Sequence, residues 1–225
     1  MRQPSGQPGV VFDMDGVIVD SEPLWVRARK QLVREAGGRW IPEAETAMMG
    51  VSSDQWSVYM RDELGLDLTP ARIRDEVIGR MVALYRAEVP LLPGAGAAVE
   101  ALGRRWPLAI ASGSDRVLLD TVLTASGLAG RFAVTVSGED VAEGKPSPQI
   151  YLEACRRLGT NPARCVAVED SAYGILSASA AGMKVVAVPR PGFEPDAGTL
   201  AKTDAVLVDL LALGPDIVER VLGPM

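Results

Sequence analysis

The chain reads as an α/β protein: a doubly wound parallel sheet with one helical domain inserted into it. Three observations predict this. Short apolar runs rich in Val, Ile and Ala recur along the chain, helical patterns separate them, and one long stretch contains no such run. Apolar runs that are continuous suit strands buried on both faces of a parallel sheet. Strands alternating with helices suit a sheet covered on both sides.

Strands are expected at residues 10–13, 108–111, 133–137, 165–169 and 185–188, with a weaker run at 205–208. Helices are expected between them at 94–105, 115–127, 147–158 and 172–181, with Pro93-Gly94 and Gly159 marking joints. From residue 20 to 89 no strand run appears. Apolar residues there recur at helical spacing, as Leu24, Ala28, Leu32 and Val33, or Ile73, Val77, Met81 and Leu84. Pro23 suits a first helical turn, and Pro90 and Pro93 bracket the return. The expected division is a core of residues 1–19 and 92–225 and an all-helical domain of residues 20–91.

Composition narrows the chemistry. The 225 residues include 23 Lys and Arg against 29 Asp and Glu, a net charge of −6. An acidic chain lacks the electrostatic footprint of a phosphate-backbone binder, so no nucleic acid partner is expected. There is no histidine, which excludes Ser-His-Asp triads, Cys-His dyads and His-ligated zinc. Cys155 and Cys165 lie in apolar segments and read as small buried hydrophobes. No run approaches the ~20 apolar residues of a membrane helix, and no apolar signal core follows the opening MRQPSGQPG. The expectation is a soluble, cytoplasmic protein, monomeric by default.

Four strand ends carry polar groups. The first strand runs into Asp13-Met14-Asp15-Gly16. Two carboxylates at the end of a buried strand must be solvated, paired or bound to a cation, and on a regular strand both would face one side. Ser112-Gly113-Ser114 follows the next strand, where a hydroxyl and backbone N–H groups at a helix start suit an anion; Ser114 reads equally as a plain helix cap. Lys145 precedes Pro146, which reads as the first residue of the next helix. Glu169-Asp170-Ser171 ends a further strand, and Asp170 or Ser171 could equally cap the helix after it. Together they suit phosphoryl transfer. Carboxylates hold a hard cation such as Mg²⁺, Ser and Lys grip a phosphoryl group, and an aspartate can be the nucleophile.

In this order the motifs resemble those of the haloacid dehalogenase-like phosphohydrolases. The helical insert resembles the cap of the branch containing β-phosphoglucomutase, phosphoglycolate phosphatase and sugar phosphatases. The resemblance spans nearly the whole chain and implies a Rossmann-like core with a helical cap. It implies that Asp13 attacks phosphorus and binds Mg²⁺, and that Asp15 is the acid and base, its carbonyl touching the metal. Ser112, Gly113 and Lys145 would grip the phosphoryl group. Asp170 would ligate the metal, with Glu169 a direct or water-mediated ligand. The partner implied is a small phosphorylated metabolite.

Departures sort the branch. Asp15 argues against dehalogenation, and the helical domain has no lysine beyond Lys30, against a Schiff-base mechanism. The mutases' cap histidine falls near Trp25, and Gly50-Val51-Ser52 continues without the mutases' arginine. Asp20-Ser21-Glu22-Pro23-Leu24-Trp25 and Leu91-Leu92-Pro93-Gly94 resemble hexose-phosphate and 2-deoxyglucose-6-phosphate phosphatases. The leading expectation is a sugar phosphatase; the alternatives are a sugar phosphomutase and a non-catalytic metabolite-binding protein. Candidate cap contacts are Glu22, Trp25 and Arg80 or Arg86, while Trp40 and Trp56 read as cap core.

Overall fold

The computed structural model describes residues 6–224; the rest of the polar opening segment, residues 1–5, lies outside the described residues. Six strands, β1 (Gly9–Phe12), β2 (Leu108–Ala111), β3 (Val134–Val136), β4 (Cys165–Glu169), β5 (Lys184–Ala187) and β6 (Ala205–Val206), form one sheet. Their order is β3-β2-β1-β4-β5-β6, and every pairing is parallel. The chain winds outward from β1 to one edge, returns to β4, and winds to the other. The switch between β1 and β4 opens a crevice beyond their carboxyl ends, where such sheets bind ligands.

Alternation along the central strands separates two cores. Val10, Phe12, Leu108, Ile110, Val166 and Val168 face one side. There they pack on α5 (Ala95–Gly103), α6 (Arg116–Ala125) and α10 (Pro215–Leu222) through Leu102, Leu118 and Val218. Val11, Ala109, Ala111, Ala167 and Val185 face the other side, against α7 (Gln149–Leu158) and α8 (Ala172–Ala180) through Ile150, Tyr151 and Ile175. Small alanines on this face let α7 approach the sheet closely. Cys155 and Cys165 are free and buried in it. No helix among the described residues is long and apolar enough to cross a membrane.

Four helices fill the stretch without strands: α1 (Glu22–Glu35), α2 (Ala44–Ala47), α3 (Ser53–Asp62) and α4 (Pro70–Ala87). Pro23 occupies the first turn of α1, and Thr69 caps α4, whose first residue is Pro70. The two connecting strands of chain meet where Val19 bridges Leu91. The buried stripe of α1 is Trp25, Ala28, Arg29, Leu32 and Val33, so Trp25 replaces the expected Leu24. On α4 the stripe continues at four-residue spacing through Ile73, Val77 and Met81 to Tyr85, not Leu84. A short α9 (Ala197–Leu200) completes the set.

Three local expectations are corrected. The first strand ends at Phe12, so Asp13 and Asp15 do not share a regular strand face. Instead Gly16 takes φ +81° and the Gly16 N–H donates to the Val19 carbonyl, folding the chain into a tight loop. Pro146 lies outside α7, which starts at Gln149 behind Pro148. A proline at 148 disfavours helical backbone at Ser147, which holds the start back. The cap position of α6 belongs to Asp115, not Ser114.

Candidate active site

Four strand ends bring the motif residues together. At the end of β1, Asp13 is buried, and its main-chain N–H extends the ladder to the Val168 carbonyl. Lys145, in the loop after β3, reaches in between two carboxylates. Its Nζ is 2.8 Å from Asp13 Oδ1 and 2.6 Å from Glu169 Oε1. Burial alone would lower the Lys145 ammonium, but Asp13 and Glu169 hold it above its ordinary value. Burial pushes the Asp13 carboxyl up to about 7; Lys145 opposes the shift, and Glu169 and Asp15 add to it. Asp170 is also raised, by burial and by Glu169 and Asp13. Both shifts come first from burial, and the crowding of acids around one ammonium adds to them.

One carboxylate oxygen from each of Asp13, Glu169 and Asp170 lies within 4.8 Å of the others. This all-oxygen, net-negative set fits a hard divalent cation. The three acids are not equivalent. Glu169 Oε1 accepts from Lys145 and from Tyr151 Oη, each at 2.6 Å. Its Oε2 accepts from the Asp170 and Ser171 main-chain N–H groups and from Ser171 Oγ. Protein donors thus engage both Glu169 oxygens, leaving Asp13 and Asp170 the freer donors toward a cation. Ser171 both supports Glu169 and caps α8 by accepting from Gly174 N–H.

On the opposite wall, Asp15 Oδ2 accepts from Ser112 Oγ at 3.2 Å and Ser114 Oγ at 2.8 Å. Asp15 Oδ1 is buried and makes no hydrogen bond. Ser114 therefore serves the site as a hydroxyl donor, a role the cap reading of the sequence missed. The space beside Gly113 is open: no heavy atom lies within 4 Å of where a side chain would begin. Behind it Gly138 packs against the Gly113 carbonyl, where a Cβ would approach to 2.5 Å.

The helical block closes over this floor. Tyr85, at the end of α4, shares the field of Asp15 and Glu22 and stands beside Ser21. Burial raises the Glu22 carboxyl; Arg29 opposes that rise and Asp15 adds to it. Trp25 is packed edge-on to Trp56, ring centroids 6.0 Å apart, and is only 8% exposed. Arg80 is the correction among the expected cap contacts. Glu76 and Glu35 hold its guanidinium, each at 2.6 Å. Glu35 lies thirteen residues from Glu22 along α1, about 20 Å at 1.5 Å per residue, so Arg80 belongs to the far end of the block. Arg86 is exposed. Trp56 is fully packed and Trp40 stacks beneath Lys30.

A clasp joins block and core. Asp115 holds the cap position of α6 in extended backbone, yet its carboxylate caps nothing. It turns across the cleft instead, accepting from Ser53 Oγ at 3.1 Å and pairing with Arg74. Arg74 also bonds Glu139 at 2.9 Å.

A carboxylate pair, two hydroxyls, a buried lysine and a cation-ready acid pair, at the switch point of a capped parallel sheet, define an enzyme of phosphoryl-group chemistry. Comparison with known proteins makes the class specific. Residues 8–182 match the family model described as haloacid dehalogenase-like hydrolase, and the chain belongs to that family. It is 34% identical over 204 residues to hexitol phosphatase B of Escherichia coli K12, covering 87% of this chain and 90% of the relative. It is 32% identical over 185 residues to the fructose-1-phosphate phosphatase YqaB of the same bacterium, covering 80% of this chain and 95% of the relative. The crystal structure of CbbY from Rhodobacter sphaeroides in complex with phosphate superposes with a TM-score of 0.81 at 29% identity, over 92% of this chain and 96% of that one.

Proposed function

We propose that the chain is a Mg²⁺-dependent phosphatase that hydrolyses a small sugar or polyol monophosphate through an aspartyl-phosphate on Asp13. The observation that carries this reading is the convergence of Asp13, Asp15, Ser112, Lys145 and Asp170 from four strand ends onto one crevice. The sugar-phosphate relatives support the substrate class.

The substrate phosphoryl group sits between Asp13 and the Ser112–Gly113 turn. Ser112 Oγ, the Gly113 N–H and the Lys145 ammonium donate to its oxygens, offsetting the charge that spreads over them in the transition state. An Asp13 carboxylate oxygen attacks phosphorus in line. The phosphorus–ester oxygen bond breaks, and the leaving oxygen takes the Asp15 carboxyl proton. Asp15, now a carboxylate, takes a proton from water. The resulting hydroxide attacks phosphorus, freeing inorganic phosphate and the Asp13 carboxylate. Ser114 holds the Asp15 oxygen for both transfers, while the Ser112 hydroxyl turns from Asp15 to the phosphoryl group when substrate binds. Asp13, Asp170 and the Asp15 carbonyl would hold magnesium, with Glu169 behind them. When bound, the metal supplies positive charge to the phosphoryl oxygens and to the acid cluster.

The test is phosphate release from sugar phosphates, polyol phosphates, phosphoglycolate, nucleotides and p-nitrophenyl phosphate, with Mg²⁺ or with chelator. Release in Mg²⁺ alone, fastest on sugar or polyol monophosphates, is expected. Silence on every compound sinks the reading. Isomer conversion without net release assigns a mutase in its place.

Two substitutions probe the frame. A Cβ at Gly16 would lie 1.9 Å from Asp170 Oδ2, and the position already needs φ +81°. Gly16→Ala must therefore displace the Asp170 carboxylate, with a further ~1–2 kcal/mol of backbone cost. The expected result is at least a roughly 100-fold loss of turnover at low Mg²⁺, partly recovered as Mg²⁺ is raised in an activity titration. Arg74→Ala cuts the clasp. Arg74 is one-third exposed, so the closed arrangement loses about 1 kcal/mol, discounted for solvent. A smaller closed fraction weakens apparent affinity. KM should rise roughly fivefold while thermal stability barely moves, as steady-state kinetics and calorimetry can check.

A further inference from the structure

Inside the helical block one arginine is buried with no hydrogen-bond acceptor among the described residues. Arg29 is 4% exposed, and its guanidinium carbon stands 4.8 Å from the Trp25 ring centroid and 5.3 Å from that of Trp56. Its Nε is buried and bonds nothing, and no side chain or carbonyl accepts a hydrogen bond from the guanidinium among the described residues. Burial lowers the guanidinium to about 10, with Glu22 opposing, so it stays charged at neutral pH. A desolvated cation costs several kcal/mol unless an acceptor answers it.

Arg29 is not alone. Glu22 Oε1 and Asp15 Oδ1 are likewise buried and unbonded, and Tyr85 Oη is buried beside Ser21. Glu22 and Arg29 are seven residues apart on α1, so they share one face, about 10 Å apart along the axis. The open groups thus form a line. It starts at Asp15 beside the phosphoryl site, passes Glu22, whose carboxyl feels both Asp15 and Arg29, and ends at Arg29 beside its two indoles.

We propose that Arg29 determines specificity by binding an oxygen at the far end of the substrate, so that the cleft favours longer neutral hydroxylated chains over shorter ones. This rests on the phosphatase reading above and deepens it. Glu22 accepts from a hydroxyl near the phosphorylated end and Arg29 donates to one at the distal end. The Trp25 and Trp56 faces keep water from the guanidinium and fix its plane. Length decides which chain fits. Extended carbon chains advance roughly 1.25 Å per bond of ~1.5 Å, so a three-carbon substrate ends about 4 Å short of a six-carbon one and brings its last hydroxyl that much less far toward Arg29. Charge decides against a second phosphate. Glu22 offsets Arg29 on this face, so a second dianion finds no net positive charge there to hold it.

The test compares kcat/KM on three-, four-, five- and six-carbon polyol monophosphates, a hexose bisphosphate and p-nitrophenyl phosphate, for wild type, Arg29→Met and Arg29→Lys in Mg²⁺. A hydrogen bond to a charged group carries about 1.5–3 kcal/mol, so the six-carbon to three-carbon ratio should fall about 10- to 100-fold in Arg29→Met. Arg29→Lys keeps the charge without the planar fork and should fall between. Arg29→Met removes a buried charge that bonds no acceptor, but also its two indole contacts and the charge facing Glu22, so its melting temperature should stay near the wild type's. An unchanged ratio in both variants, or a wild-type preference for the bisphosphate, overturns the proposal. If Arg29→Met does not fold, Arg29→Lys decides by the same ratio. A wild type silent even on p-nitrophenyl phosphate overturns the phosphatase reading instead.

Discussion

Asp13→Asn is expected to remove Mg²⁺-dependent phosphate release by at least about 10³-fold while leaving the fold intact. The change is nearly isosteric, so packing at the end of β1 is kept. What goes is the nucleophile, because an amide oxygen cannot take the phosphoryl group and leave as a stable carboxylate. The usual objection to a dead variant is that it has unfolded, and here the electrostatics answer it. Burial, Glu169 and Asp15 all disfavour charge on Asp13, and Lys145 only partly compensates. Neutralising the side chain relieves repulsion within the acid cluster. Without divalent ions, the variant's melting temperature should therefore be no lower than the wild type's. In Mg²⁺ the order should reverse, since the wild type alone offers both Asp13 and Asp170 carboxylates to the cation. Turnover retained within tenfold of wild type would remove Asp13 from the mechanism.

The strand ends were legible in the sequence because two constraints coincide there. A run such as VVF or CVAV is buried on both faces, so a carboxylate directly after it has to be functional or capped. That logic located Asp13, Glu169 and Asp170, while Ser112 was found at a helix start and Lys145 before a proline, and the structure brings all five to one crevice. The same logic hid Arg29, Tyr85 and Tyr151. Each lies in register with an apolar helical stripe, where periodicity says packing and is silent on a polar tip. Arg29 left one trace, a charge at a stripe position between Trp25 and Leu32. Arg80 misled for the opposite reason. A helix arginine looks available in sequence, but Glu76 one turn back and Glu35 on α1 occupy it. The α10 helix escaped because it is short, follows several loops, and shows its apolar face only when packed on the sheet. Cap specificity depends on which helix faces the floor. That is a tertiary fact, and no local pattern encodes it.

Lys145→Met tests the other half of the charge balance, and its sign is opposite. Lys145 is the only ammonium or guanidinium paired with Asp13 and Glu169 among the described residues, and it lies over the Tyr151 ring. Removing one partner of a buried ion pair costs about 3–5 kcal/mol, because the remaining charge is left uncompensated. For a chain of this size, at about 2–4 °C per kcal/mol, the melting temperature should drop by roughly 6–20 °C. Phosphate release should fall at least about 100-fold, because the transferring oxygens lose their cationic donor. Added Mg²⁺ should stabilise this variant more than the wild type, since the metal then supplies the only strong positive charge in the cluster. The double variant Asp13→Asn/Lys145→Met separates the two roles. If the loss is electrostatic, removing one stranded carboxylate restores a large part of the melting temperature, a coupling of about 1–3 kcal/mol, while activity stays absent. If the two losses simply add, Lys145 supports the site by packing against Tyr151 and not by its charge.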